Sequence, residues 1–251
     1  MTEEHRRPDL TGWSTLELLR GALRLYRRNV TTFVGVLAVA FALTALVQAA
    51  GTLPGLTTLS RQFLSVVSAV VAGTASLALA RAVLRRLHGQ PASIADAYGF
   101  IVDRLSAYVG LLLLMVVIAL GVGVVGFMAG GILISLGLGP LGSAAVAALM
   151  LAVVVALALV PFGFAEGLPV MAVLERSRTL AYGEWPALLL SVGLYAVPFA
   201  VSFGLIPTTT WGMLVDVAVT VAYTPLPIAF LGMIYIRALG ASTGPSTAEG
   251  A

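Results

Sequence analysis

Six apolar runs, each long enough to cross a bilayer, fill most of this chain, and its arginines fall almost entirely on one side of them. A spanning helix needs about 20 mostly apolar residues. The runs lie at about 30–50, 62–83, 107–129, 141–164, 187–206 and 211–236. A Gly-rich apolar linker, 130–140, joins the third to the fourth. In lipid, every backbone N–H and C=O must be satisfied within the protein, so continuous apolar runs of this length can only be helices. The expected fold is therefore all-α and polytopic, with six transmembrane helices. The membrane domain covers 12–239, between polar tails at 1–11 and 240–251 that read as disordered. Composition agrees: 59% of residues are hydrophobic and 10% charged, against about 25% charged in a soluble domain.

A cleavable signal peptide is the other reading of the first run, and Val47-Gln48-Ala49 loosely resembles a cleavage site. A signal core, however, spans about 7–15 residues, and this run is longer and preceded by a long polar and basic stretch. It reads as a retained span.

The 14 basic residues are all arginine, and their placement sets the orientation. Arg6, Arg7, Arg20, Arg24, Arg27 and Arg28 precede the first run. Arg81, Arg85, Arg86 and Arg104 lie in or beside the loop between the second and third. Arg176 and Arg178 separate the fourth from the fifth, and Arg237 follows the sixth. Only Arg61 lies on the opposite side. The positive-inside rule then puts both termini in the cytoplasm of a bacterial inner membrane.

The cytoplasmic segments look amphipathic. Ser14 and Glu17 form a capping-box pattern. Beyond them, Leu16, Leu19, Leu23 and Tyr26 fall on one helical stripe and Arg20, Arg24, Arg27 and Arg28 on another. Such a helix suits the headgroup layer, with Trp13 as an interfacial anchor. A second copy starts at Ser93, with Asp96 three residues on, and a third runs near 170–185. In the third, Leu174, Arg176, Ser177 and Tyr182 match Leu18, Arg20, Gly21 and Tyr26 in spacing. The pattern predicts a three-fold repeat of an interfacial helix followed by a helical hairpin.

These segments also carry a family likeness. The stretch Leu16-Glu17-Leu18-Leu19-Arg20-Gly21-Ala22-Leu23-Arg24-Leu25-Tyr26-Arg27-Arg28-Asn29 resembles the opening of the bacterial "glycerophosphoryl diester phosphodiesterase membrane domain" group. Leu174-Glu175-Arg176-Ser177-Arg178-Thr179-Leu180-Ala181-Tyr182-Gly183-Glu184-Trp185 resembles that group's RS-x-x-L-x-x-G-x-x-W segment, and Pro225 to Arg237 its closing span. The resemblance implies membrane architecture rather than hydrolysis. The catalytic barrel fused to this membrane part in some relatives needs His, Glu and Asp around a divalent metal, and this chain has neither the length for a barrel nor such a cluster.

Little in the sequence points to reaction chemistry. With no Cys, disulfides and Cys-ligated metals are excluded. The two histidines, His5 and His88, are expected to face water rather than bind metal, and no cofactor is expected. Gly121-Val122-Gly123-Val124-Val125-Gly126 matches a dinucleotide fingerprint literally, but it sits inside an apolar helix rather than between a strand and a helix. Close helix packing explains it, and Gly126-x-x-x-Gly130 fits the small-residue contact pattern. Pro161, Pro198, Pro225 and Pro227 should kink their spans. Within the bilayer, Asp216 and Gln48 are the candidate polar sites: an ionisable group in a span is functional by default, although Asp216 could also reach water past Trp211 or pair with Arg61. Glu166 is expected to pair with Arg176 or Arg178.

The expected role is non-catalytic: organising or assisting another membrane component, in envelope or lipid handling. Arg20, Arg24, Arg27, Arg28, Arg85, Arg86, Arg176 and Arg178 would contact anionic lipid headgroups or a membrane or cytoplasmic protein. Nucleic acid is not expected, because no basic patch is interleaved with aromatics outside the runs. A transporter or permease subunit is the alternative, and a membrane-embedded enzyme a further one; the first needs more polar lining and the second more converging acids and histidines than the sequence offers. The orientation is directly testable. A reporter that folds only outside the cytoplasm, fused after Arg237, should be inactive, and a cytoplasmic reporter at the same point active. The reverse result would mean a miscounted span, most readily at 130–140.

Overall fold

The computed structural model describes residues 9–52, 55, 57–205 and 210–243, apart from the side chains of 69, 198–205, 210–214, 216 and 243. The helices are α1 (Thr15–Arg28), α2 (Val30–Gly51), α3 (Thr58–Leu87), α4 (Ile94–Asp103), α5 (Leu105–Ser135), α6 (Gly139–Leu157), α7 (Val160–Ala165), α8 (Val170–Leu205), α9 (Thr210–Tyr223) and α10 (Pro225–Thr243). Among the described residues there is no strand. Six helical stretches are long and apolar enough to cross a membrane: Val30–Gly51, Thr58–Leu87, Leu105–Ser135, Gly139–Ala165, Val170–Val197 and Val217–Ser242. The chain is an all-α multi-pass membrane protein.

Local chemistry explains where the helices stop. The Ser14 hydroxyl accepts from the Glu17 N–H at 3.3 Å, while the Glu17 carboxylate accepts from the Ser14 N–H at 2.7 Å, closing the capping box at the start of α1. Those bonds hold the Glu17 carboxyl below its ordinary range. Ser93 caps α4 in the same way, its hydroxyl accepting from the Asp96 N–H at 3.1 Å. At the end of α1, the Asn29 side-chain amide donates to the Leu25 carbonyl at 2.9 Å, and α2 begins at the next residue. Pro161 and Pro225 break their spans, as expected of residues without an N–H: α6 ends before Pro161 and α10 starts at Pro225. Pro198 does not end its helix, since α8 continues to Leu205.

The third unit departs from the predicted repeat. The element order recurs as α1-α2-α3, then α4-α5-α6, but α8 is one unbroken helix where a separate interfacial helix at 170–185 and a span at 187–206 were expected. Its break would fall near Trp185 by the spacing of Tyr26 to Asn29. No residue there caps a helix end as Asn29 does, so the helix runs through. Leu10, inside the expected N-terminal tail, is buried against the helices, and α10 extends past 240 to Thr243; the rest of both expected tails lies outside the described residues.

Packing is tightest at the arginine-rich end. The buried core comes from the first half of α2 (Phe33, Val36), the last part of α3 (Leu77–Leu84), α7, the front of α8 and α10. Phe162 stacks on Tyr235 with ring centroids 5.6 Å apart. The α5–α6 hairpin is mostly exposed, as with Phe127, Ile132 and Leu141. It is held by small residues: Gly130 faces Val146, and Gly142 lies against the Gly130 carbonyl. Gly121, Gly123 and Gly131 face open space instead, so the close packing expected of the whole glycine cluster is confined to Gly126 and Gly130.

Gly232 shows how close the core helices come. A Cβ there would lie 2.5 Å from the Val83 methyl and 3.1 Å from the Phe162 ring. Both neighbours are fully buried and cannot yield. Gly232→Ala should therefore lower stability by about 1–3 kcal/mol. Gly123→Ala, with nothing within 4 Å, should be neutral or slightly stabilising because Ala is the better helix former. Thermal melts of the two variants in detergent test the contrast.

Candidate functional site

The arginines do not behave alike. Some are built into the helix contacts, and others stand free on the same end of the molecule. Arg237, on α10, pairs with Glu184 on α8 through two of its nitrogens, one at 2.9 Å, and its Nη1 donates to the Trp13 carbonyl at 2.8 Å. One guanidinium thus joins α8, α10 and the approach to α1. Glu184 is only 9% exposed. Neither was singled out as a site by sequence reasoning, because a single Glu and a single Arg 53 residues apart give no local signal.

A second cluster surrounds the turn between α7 and α8. Gly167 adopts φ +90°, and the Leu168 N–H reaches back to the Gly163 carbonyl at 3.3 Å, closing the six-residue helix with a Schellman-type turn. The carbonyls left at that helix end collect cations, as the helix dipole favours. Arg81 donates to the Ala165 carbonyl at 2.8 Å, and Arg104 to those of Phe164 and Leu168 at 3.4 Å each. Phe100 is sandwiched between the two guanidiniums, at 4.4 Å from Arg81 and 5.7 Å from Arg104. Glu166 accepts from Arg176 at 3.0 Å and from the Tyr235 hydroxyl at 2.8 Å. The expected Glu166 pairing is therefore made with Arg176. Arg85 pairs with Asp96.

Between α3, α7 and α8 these groups enclose a pocket of 490 Å³, lined by Arg81, Arg85, His88, Gln90, Glu166 and Arg176 among others. Of the arginines proposed from sequence, it gathers Arg85 and Arg176. It leaves out Arg86, which reaches the Ala92 carbonyl at 3.4 Å, and the exposed Arg178. Arg81 and Gln90 were missed. Arg81 lies one helical turn before Arg85, so the i, i+4 spacing was a readable signal. Arg178 instead edges a separate apolar groove of 580 Å³ between α6 and α8, beside Tyr182 and Trp185.

Of the two intramembrane candidates, only the Gln48 side chain is described. Gln48 is exposed and makes no hydrogen bond to another helix among the described residues; it lines a 240 Å³ pocket with Arg61 between α2 and α3, at the opposite end. Asp216 falls in α9, and its side chain lies outside the described residues, as does His5. His88, in the turn after α3, borders the cationic pocket. Among the described residues no three His, Cys, Asp or Glu side chains are grouped to hold a metal ion.

On α1 the sequence stripes resolve into three sides. Leu18, Gly21 and Ala22 are buried, packed against α10. Of the predicted apolar stripe, Leu16 and Leu23 stay 56% and 43% exposed, while Leu19 and Tyr26 are partly buried against the core. Arg20, Arg24, Arg27 and Arg28 are exposed and form no ion pair among the described residues. The Tyr26 hydroxyl donates at 2.5 Å to the Ala222 carbonyl, beside the break that Pro225 makes in the last span. Burial raises the Tyr26 phenol above its ordinary range, which keeps it a donor.

The buried pair offers a clean test. Removing one member of a buried ion pair strands the other and costs about 3–5 kcal/mol. Glu184→Ala should therefore lower the melting temperature sharply, whereas Glu175→Ala, at an exposed position of the same helix, should have little effect.

No family model, no curated protein and no solved structure matches this chain.

Proposed function

We propose that this chain is a non-catalytic protein of the bacterial cytoplasmic membrane, with both termini in the cytoplasm. It organises or assists another membrane component by holding anionic groups at its arginine-rich end. One observation carries the reading. Arg237, Arg176 and Arg85 are engaged in ion pairs that tie helices together, whereas Arg20, Arg24, Arg27, Arg28 and Arg178 are exposed and unpaired among the described residues. Free guanidiniums beside apolar surface are suited to anionic headgroups and to acidic patches on a partner. The three sides of α1 fit a helix lying in the headgroup layer, one side on α10, one toward acyl chains and one toward phosphates. The resemblance to membrane domains that occur fused to lipid-related enzymes points the same way, toward envelope or lipid handling.

Each juxtamembrane arginine is worth about 1 kcal/mol of attraction to an anionic surface. Replacing Arg20, Arg24, Arg27 and Arg28 together with Gln should strip most of the anionic lipid that co-purifies with the protein, measured by mass spectrometry of extracted lipid. Fusion reporters must first show the variant correctly oriented. Undiminished anionic lipid in that variant would falsify the reading. Asp216→Asn should leave lipid retention unchanged. If it instead abolishes ion-coupled uptake into vesicles holding the purified protein, a transporter takes the place of this proposal.

A further inference from the structure

The cationic pocket has a ligand chemistry that goes beyond the exposed stripe of α1. Arg81 and Arg85 lie one turn apart on α3, and like charges at that spacing repel. Asp96 answers Arg85. Arg81 forms no ion pair among the described residues; it has the Ala165 carbonyl, the face of Phe100 and the more distant charge of Asp96. The Nε donors of Arg81 and Arg85, like the Asp96 Oδ2 acceptor, are buried without a hydrogen-bond partner among the described residues, so the donors open to the cavity are the terminal guanidinium nitrogens. A buried donor left without a partner is costly. Across the pocket, the Glu166 carboxylate is taken up by Arg176 and the Tyr235 hydroxyl. Arg104, 5.7 Å from the Phe100 ring, adds a further positive charge and forms no ion pair among the described residues. The balance around the cavity is therefore cationic.

We infer that this pocket binds a phosphoryl group. Planar guanidiniums match phosphate oxygens in paired hydrogen bonds, and Arg81 and Arg85 present theirs from one face of one helix. The Gln90 amide at the rim can donate to a third oxygen. At 490 Å³ the cavity exceeds a bare anion, so it admits a phosphoryl group carrying a substituent. The source is either the headgroup of a membrane lipid or a free phosphate compound entering from the arginine-rich side.

The test uses the full chain in two arms. In nonionic detergent, inorganic phosphate is compared with chloride at equal ionic strength, reading the thermal shift and its concentration dependence. In nanodiscs of phosphatidylcholine with a minor fraction of phosphatidic acid, lipid retained per chain is counted by native mass spectrometry. Wild type should respond in at least one arm: the first identifies a free phosphate compound, the second a lipid headgroup. Arg81→Gln should weaken that response about tenfold or more, and Arg178→Gln, outside the pocket, should not. Because Arg81 also holds the Ala165 carbonyl, Gln90→Trp serves as a second variant that fills the rim without touching an ion pair. Wild type silent in both arms, or a response unchanged in both Arg81→Gln and Gln90→Trp, overturns the inference. Replacing the four α1 arginines should leave pocket binding intact, so failure here and failure of the headgroup reading of α1 are separately visible.

Discussion

Arg237 is the residue on which the arrangement of the arginine-rich end depends. A guanidinium near the end of an apolar helix is costly unless its donors are met. Here they are met by both oxygens of Glu184 and by the Trp13 carbonyl. Glu184 and Trp13 come from segments far apart in the chain, so satisfying one charge fixes α8 against α10 and brings the N-terminal segment onto both. A Cβ on Gly21 would lie 3.0 Å from the Trp13 ring and 3.1 Å from the Met233 methyl, so a side chain there would need a neighbour to shift. The buried face of α1 follows from that docking, and so do the exposure of its arginines and the Tyr26 contact with the last span.

The same logic recurs wherever a helix ends inside the core. Carbonyls freed at the C-terminus of α7 are taken by Arg81 and Arg104, and one near the break before Pro225 by Tyr26. Away from helix ends, Tyr98 and Tyr108 donate at 2.7 Å to the Val36 and Val70 carbonyls within α2 and α3, and burial pushes the Tyr98 phenol up to about 12, so it stays protonated. In a medium without water, long polar side chains substitute for solvent at backbone groups. That explains why the polar groups concentrate where helices break and start, and why the opposite end, with few of them, packs loosely.

Much of the architecture was legible in the sequence because membrane physics leaves few alternatives. Hydropathy alone located six spans, Ser14 and Ser93 marked true helix starts, and Pro161 and Pro225 marked true breaks. What was not legible depended on pairing across the fold. Periodicity assigned Leu16 and Leu23 to the hydrophobic face of α1, but it could not tell a face that meets lipid from one that meets protein; the docking face proved to be Leu18, Gly21 and Ala22. Small residues allow close approach and score weakly as hydrophobic, so a pattern read from leucines passes over them. The ion pairs of Glu184 and Asp96, and the joining of Arg81 to Arg176 around one cavity, likewise come from three-dimensional proximity without a local motif.

The unbroken α8 bears on why the third unit differs from the other two. In the first two units, breaks at Asn29 and Arg104 separate the short helix from the span that follows. In the third, the backbone is continuous through Glu184, so that carboxylate is presented from the middle of a rigid helix rather than from a frayed end. A buried ion pair needs such fixed geometry, because loose partners would recover little of their desolvation cost. The departure from the repeat and the Glu184–Arg237 pair are thus one feature: a helix fused through its expected break point carries the acid that locks the first and last helices together. The arginines of α1 have no such partner among the described residues and stay exposed at the surface.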